Sequence, residues 1–331
     1  MGGLESDFDH SAMGRGGPPA IAVLIPCHNE ELTVAQVISD FRRELPAAEI
    51  YVCDNNSTDQ TAQRARAAGA HVSQERRQGK GWAVRSMLGS IAADVYILVD
   101  ADGTYPANRV HDLLQPVIRG EADMVVGSRL QAQSRSEFKP LNRLANRMFL
   151  KAINLMFNAK LTDPQSGYRA FSRAFVDGVP LFAHGFELET EITVRALEHH
   201  MRVAEIPVNL GSRPPGSVSK LNLVSDGILA VGTMVSLFRD FKPLTFFGSV
   251  GLLLILAGFI PGGIVIREFV KTGVVLRLPS ALLAVGLVLA GTVVISVGLV
   301  MHAGLRRAQE RDYLFKVLNT KLNRWGGGPQ S

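Results

Sequence analysis

Cysteine is nearly absent: 331 residues carry only Cys27 and Cys53, each at the end of an apolar run. So few thiols exclude a disulfide framework and a cysteine-rich metal site, and read instead as two reduced core thiols in a reducing compartment. No apolar stretch occurs in residues 1–19, which are Gly-rich and polar. No secretory signal is therefore expected there, and residues 1–19 read as a disordered tail. Internal repeats and low-complexity tracts are also missing. Charge is absent where its absence matters most: residues 244–266 contain none, and in residues 278–305 the only ionisable side chain is His302.

Hydrophobic residues make up 47% of the chain, and the surplus sits in those two runs. Crossing the hydrocarbon takes roughly 20 apolar residues as a helix, whereas uninterrupted apolar core helices seldom exceed ~14. Two transmembrane helices are predicted, at about 244–266 and 279–302. Pro261, Gly262 and Gly263 do not oppose the first, because transmembrane helices tolerate such residues. Net charge is +5. Arg239 and Lys242 precede the first run, and Arg306, Arg307 and Arg311 follow the second. Short basic flanks stay cytoplasmic, so the domain before the hairpin and the tail at 306–331 are expected there, in a multi-pass protein of the cytoplasmic (inner) membrane. Arg267, Lys271 and Arg277 in the connecting loop work against that asymmetry.

From residue 21 to 126, short apolar runs alternate with helical stretches. Residues 21–25, 50–53, 95–99 and 124–126 read as buried strands, with another at 203–208. Residues 31–44, 58–68, 79–92 and 106–118 read as helices. This alternation predicts an α/β fold, a mostly parallel sheet with helices on both faces. Ligands bind beyond the carboxyl ends of such strands, so the polar residues after each strand are the candidates for chemistry.

After the first strand come Pro26-Cys27-His28-Asn29-Glu30, and after the second Asp54-Asn55-Asn56-Ser57-Thr58-Asp59. Both supply hydrogen-bonding groups suited to a base and ribose, although Ser57 or Thr58 also suits a plain helix cap. After the third come Asp100-Ala101-Asp102. Two carboxylates one residue apart can share a hard divalent cation, though Asp102-Gly103 also reads as a turn. Lys139, Arg143, Arg147 and Lys151 form a basic stripe on a predicted helix over 138–160, beside an apolar face of Leu141, Leu144, Met148 and Leu155. Such a helix suits an anionic membrane surface as well as it suits plain solvent. Residues 221–242 read as an interfacial juxtamembrane helix.

Together the three polar segments resemble the family 2 glycosyltransferases. Gly79-Lys80-Gly81 fits the same pattern. Gly127-Ser128-Arg129, Asp163-Pro164-Gln165-Ser166-Gly167-Tyr168-Arg169, Phe186-Glu187-Leu188-Glu189 and the stretch from Arg213 to Ser219-Lys220 narrow the resemblance to one branch. That branch is typified by dolichol-phosphate mannose synthase and the bacterial polyprenyl-phosphate glycosyltransferases. The resemblance implies a GT-A nucleotide-sugar domain over 20–220. It implies a nucleotide-sugar site at Pro26, His28, Glu30, Asp54, Lys80, Asp100, Ala101, Asp102, Arg213 and Lys220. Mg2+ or Mn2+ would be held by Asp100 and Asp102. Catalytic roles fall on Asp163, Asp102 and Arg129, and an acceptor side on Arg129, Arg143, Arg169, Glu187, Glu189 and Ser219. The implied partners are a nucleotide-sugar donor, polyprenyl phosphate and the bilayer; self-association stays open.

Two departures limit the transfer. Thr104 stands where mannose synthases often carry a Gln that helps hold the metal, and the loop before Lys220 is slightly longer. The donor therefore stays open among UDP-glucose, UDP-N-acetylglucosamine and GDP-mannose. A processive polysaccharide synthase would carry Gln-x-x-Arg-Trp before further spans; the only Arg-Trp here, Arg324-Trp325, follows the last span with Lys321 in the Gln position. A silent nucleotide-binding scaffold has no need of Asp100, Asp102, Asp163, Arg213 and Lys220 together. A nucleic-acid partner is not expected, because much of the basic charge sits at the membrane flanks and on the 138–160 helix.

Overall fold

A sheet of seven strands organises the first of two units, residues 1–223 and 224–331, in the computed structural model. The structure describes residues 18–129, 150–151, 153–183, 188–211, 236, 238–240 and 242–326. The strands are β1 (Ile21–Cys27), β2 (Glu49–Asp54), β3 (His71–Gln74), β4 (Val95–Leu98), β5 (Met124–Ser128), β6 (Arg169–Ser172) and β7 (Val203–Pro207). Their order is β3-β2-β1-β4-β6-β5-β7. β1 lies parallel to β2 and β4, β2 to β3, and β5 to β7. β6 runs antiparallel, wedged between β4 and β5.

Both faces of the sheet are covered, which is why its central strands read as continuous apolar runs. Side chains alternate between faces along a strand. Val23 and Ile25 of β1 accordingly pack with Val34, Ile38 and Phe41 of α1 (Val34–Glu44) and Leu113 of α4 (Val110–Ile118). Ala22 and Leu24 pack on the other face with Val84 and Met87 of α3 (Lys80–Ser90) and Phe175 of α5 (Arg173–Gly178). Ile192 of α6 (Leu188–Glu198) joins that second cluster. Each fully buried Ile, Leu or Phe contributes about 1.5–3 kcal/mol. Cys27 and Cys53 are free and buried, and burial pushes both thiols up.

Two strands were not expected from the sequence. β3 is a largely exposed four-residue edge strand with polar residues, so it carries no apolar signature. β6 is also four residues long, too short for a period, and begins at a buried arginine. The helices start later than their patterns. α1 begins at Val34 because Thr33 and Val34 N–H groups turn back onto the Glu30 carbonyl. α2 (Thr61–Ala67) begins after Asp59 Oδ1 accepts from Thr61 N and Oγ1.

In the second unit both apolar runs are helical: α7 (Pro243–Thr272) and α8 (Leu278–Gly326). Each is long and apolar enough to cross a membrane, with mean hydropathy 2.3 and 2.5 in its most apolar window. α8 continues well beyond the predicted span, because nothing after Gly304 breaks it until the glycines from Gly326. The two helices pack along a seam of small residues spaced by seven. Gly251, Gly258 and Val265 of α7 are buried, as are Ala284, Gly291 and Gly298 of α8. A Cβ on Gly251 would stand 2.6 Å from the Gly291 carbonyl oxygen, and one on Gly291 would stand 2.6 Å from that of Gly251. Close backbone approach at small residues is how helices associate without help from water. Leu253, Phe259, Ile260, Leu282, Leu289 and Val300 lie exposed around this seam.

Replacing Gly251 by Leu should therefore wedge the hairpin open, at about 1–3 kcal/mol by analogy with overpacked cores. Gly248→Leu on the same helix meets open space and should be tolerated. Thermal denaturation of the detergent-solubilised full chain distinguishes the two; equal midpoints would show that the seam does not hold the pair.

Candidate active site at the carboxyl edge of the sheet

Parallel pairing of β1, β2 and β4 sets their carboxyl ends side by side, Cys27 opposite Asp54 and Leu24 opposite Leu98. The tips of β1 and β2 are then sewn together. His28 Nδ1 donates to the Asn55 carbonyl at 2.8 Å, Asn29 N to Ser57 Oγ at 2.9 Å, and Glu30 N to Thr61 Oγ1 at 2.8 Å. Thr58 N donates to Asn29 Oδ1 at 2.7 Å. Asn29 and Asn56 adopt φ of 51° and 58°, a left-handed conformation that Asn accepts at little cost. Asp54 is buried and accepts from Ser57 N at 3.3 Å. Pro26, His28, Glu30 and Asp54, the expected base and ribose residues, thus share one edge.

Asn55 was not among the expected site residues, yet it positions one. Its amide nitrogen donates to the carbonyls of Glu75 at 2.9 Å and Arg77 at 2.7 Å, and its oxygen accepts from Gly79 N at 2.7 Å. Gly79, with φ of 134°, makes the turn that delivers Lys80 to the first position of α3. In the same loop hydrogen bonds from Arg77 hold the Glu75 carboxyl down at about 2, and Arg77 lies 4.0 Å over the Trp82 ring.

Asp100 and Asp102 follow β4. The Lys80 ammonium donates to both Asp100 and Glu189, joining β4, α3 and α6. Burial alone would lower Lys80, but these two carboxylates outweigh it and hold it above the ordinary lysine value. On its other side Asp100 rests on backbone: a Cβ at Gly167 would stand 2.4 Å from Asp100 Oδ2. Asp102 Oδ1 accepts from Thr104 N at 3.0 Å and Oγ1 at 2.7 Å. Thr104 therefore orients this carboxylate. Among the described residues no group of three or more His, Cys, Asp or Glu side chains is placed to hold a metal. Two carboxylates do fit a hard cation that completes its shell with phosphate oxygens and water.

Arg129 and Asp163 form the second charged pair. Arg129 donates to Asp163 Oδ2 through Nε at 2.7 Å and the backbone N at 3.0 Å, and to Oδ1 through Nη2 at 3.0 Å. Burial would raise the Asp163 carboxyl, but the Arg129 hydrogen bonds outweigh it and hold it below the usual carboxylate range. Glu205 on β7, absent from the expected set, braces the pair from behind. Its carboxylate accepts from Asp163 N at 3.0 Å and from Thr162 N and Oγ1 at 2.7 Å each. A carboxylate with backbone partners 42 residues away leaves no local sequence signal.

Arg169, expected beside the acceptor, has no exposed guanidinium to offer a ligand. It is fully buried, and its guanidinium donates to the carbonyls of Ser166, Pro164 and Glu189 and to Thr193 Oγ1. Its five N–H donors organise the loop from Pro164 and the start of α6, so it acts from inside the wall. Burial pulls it down to about 10. Glu189 is brought to Lys80, while Ala101 is a buried spacer between the two aspartates. Arg143, Glu187, Arg213, Ser219 and Lys220 lie outside the described residues, as do most of the 138–160 and 221–242 segments.

With this geometry in place, residues 22–179 match the family described as Glycosyl transferase family 2. Glycosyltransferase AglJ of Haloferax volcanii is 36% identical over 71% of this chain and 77% of its own length. A Dolichyl-phosphate hexose transferase from the same organism is 28% identical over 57% of this chain and 81% of its own. Glucosyl-3-phosphoglycerate synthase of Mycobacterium tuberculosis, solved with Mn2+, UDP-glucose and phosphoglyceric acid, superposes with a TM-score of 0.55 at 25% identity. That match covers 67% of this chain and 79% of the solved one.

The Arg129–Asp163 pair has a pH signature. A carboxylate depressed by its fold contributes stability that is whole above the unfolded Asp value, about 3.9, and is lost as pH falls through the lower folded value. Asp163→Asn should cost about 1.5–3 kcal/mol at pH 7 and progressively less below about pH 4. Melting midpoints of parent and variant across that range test this; a gap independent of pH would mean the pair contributes nothing ionic.

Proposed function

The chain belongs to glycosyl transferase family 2, and from that premise we propose that it moves a sugar from a nucleotide diphosphate onto a polyprenyl phosphate at the cytoplasmic face of a membrane. The observation that carries this reading is the union, in one chain, of an Asp100/Asp102 edge in a nucleotide-sugar fold with two membrane-grade helices. An acceptor that resides in the bilayer gives that hairpin a purpose. The similarity to a protein named Dolichyl-phosphate hexose transferase supports the same acceptor class.

In this reading Pro26, His28, Glu30 and Asp54 line the base and ribose, and Lys80, Arg213 and Lys220 face donor phosphates. Asp100 and Asp102 would hold Mg2+ or Mn2+, which when bound neutralises the departing diphosphate. The acceptor phosphate is already anionic at neutral pH. One of its oxygens bonds to the anomeric carbon as the bond from that carbon to the diphosphate oxygen breaks, with inversion and release of the nucleoside diphosphate. No proton has to be removed, so catalysis rests on positioning and on electrostatic stabilisation of the leaving group. Asp163, a carboxylate locked to Arg129, serves as an orienting group and fixes the Arg129 fork for the acceptor side. Arg143, Glu187, Glu189 and Ser219 complete that side.

Purified full chain in detergent, given undecaprenyl phosphate and a panel of UDP- and GDP-sugars, should yield a lipid-linked monosaccharide with one of them. Transfer to free sugars or extension of a glycan, with polyprenyl phosphate ignored, would overturn the acceptor. Chelation should abolish transfer, Mg2+ or Mn2+ should restore it, and Asp102→Ala should lose at least ~10²-fold in turnover, given the several kcal/mol a Lewis-acid ion supplies.

The basic flanks also support an orientation. A cysteine introduced near Ala107, at the exposed Asn108, or near Asn319 should be labelled only from the cytoplasmic side, and one near Thr272 only from outside. Labelling of the Asn108 and Asn319 positions from opposite sides would contradict an even number of spans.

A further inference from the structure

Lys80 holds a position that donor binding alone does not explain. Its side chain is 14% exposed and contacts Glu189, 8% exposed, and Asp100, 30% exposed. One ammonium thus already serves two carboxylates, one of them half of the metal-binding pair. Each acid is partly confined. Asp100 is walled by the Gly167 backbone. Glu189 is held through its own carbonyl, which accepts from Arg169 Nη2 and Thr193 Oγ1 at 2.9 Å each. A divalent ion taken up by Asp100 must therefore stand within a few ångström of a positive charge, and like charges at that range repel by several-fold to many-fold in affinity. A diphosphate changes the balance, because it offers the ammonium a second anionic partner and shields it from the metal.

We propose that Lys80 is a resident counter-cation of the Asp100–Glu189 pair which couples the two ligands of this site, opposing a divalent ion that arrives alone and admitting it together with the nucleotide. The proposal rests on the glycosyltransferase reading above. It assigns the flexible stem of Lys80 a function that a fixed guanidinium serves poorly: the ammonium is a compact charge that can be drawn from carboxylate to phosphate. Binding energies coupled in this way are reciprocal, so Mn2+ must tighten the nucleotide by the factor by which the nucleotide tightens Mn2+. The consequence for the enzyme is that a bare metal would not sit in the empty donor site.

The test is a titration of detergent-solubilised full chain with Mn2+, followed by electron paramagnetic resonance, without nucleotide and with saturating UDP or GDP, whichever binds. The parent should bind Mn2+ weakly alone and about tenfold or more tightly with nucleotide. Lys80→Met by itself strands the Glu189 carboxylate, so the decisive variant is the charge-balanced Lys80→Met/Glu189→Gln. It should bind Mn2+ alone roughly tenfold more tightly than the parent, with a coupling factor reduced by a similar amount, the remainder coming from direct ligation of the metal by the diphosphate. A lost fold would not mimic this, since it would abolish binding. A double variant that binds Mn2+ alone no better than the parent, or keeps the parental coupling, overturns the proposal while leaving the transferase reading intact. A parent that binds neither Mn2+ nor either nucleotide overturns both.

Discussion

Buried charge must be neutralised where it stands, and that requirement organises the carboxyl edge of this sheet. A nearly buried carboxylate without a cation or several donors costs more than the packing around it returns. The edge meets the demand three times. Lys80 joins Asp100 to Glu189, Arg129 grips Asp163 in a bidentate fork, and Arg169 is solvated by backbone carbonyls and Thr193. Each solution draws on separate elements, so the charges also weld them together. Lys80 ties α3 to β4 and α6, Arg129 ties β5 to the loop from Asp163, and Arg169 ties β6 to α6. The site is preorganised because each charge is held by its partners until a ligand offers another.

Much of this edge was legible in sequence because its chemistry sits directly after apolar runs. β1, β2, β4 and β5 are dense in apolar residues, and each gives way to a polar segment. The acids of Asp100-Ala101-Asp102 could be placed from that position alone. β3 and β6 could not be read, being short and either exposed or opened by a charge. The positioning roles of Asn55 and Glu205 were hidden for a different reason. Their partners are backbone groups 20 to 43 residues distant, and a bond to a backbone group leaves no mark on the partner's identity. Arg169 misled for a related cause. An arginine in a polar loop looks like a ligand for phosphate, and only burial reveals that its donors are already committed to carbonyls.

The second unit divides in the same way. Its apolar runs announce themselves, since charge is excluded from them. Its seam does not, because Gly251, Gly258, Gly291 and Gly298 look like helix breakers in isolation. Their spacing of seven makes sense only once two helices face each other and the backbones touch. Glycine lowers helix propensity in water, but in a bilayer the backbone must stay hydrogen-bonded, so the small side chain becomes a packing asset at little conformational risk.

The state of Asp163 bears on which acceptor the site suits. A sugar hydroxyl becomes a competent nucleophile when a base takes its proton, and an effective base has an affinity for protons matched to the working pH. Asp163 is driven the opposite way. The Arg129 fork and backbone N–H groups stabilise its charged form and hold its carboxyl low, so it retains little basicity at neutral pH. Such a residue is poorly suited to deprotonate an alcohol and well suited to hold an arginine rigid. An acceptor that arrives already ionised removes the need for a base and rewards rigid cations instead. A phosphate monoester meets that description, and a membrane-embedded one also accounts for the hairpin beyond the catalytic unit. The electrostatics of one ion pair and the composition of a separate segment are each consistent with the acceptor class proposed above.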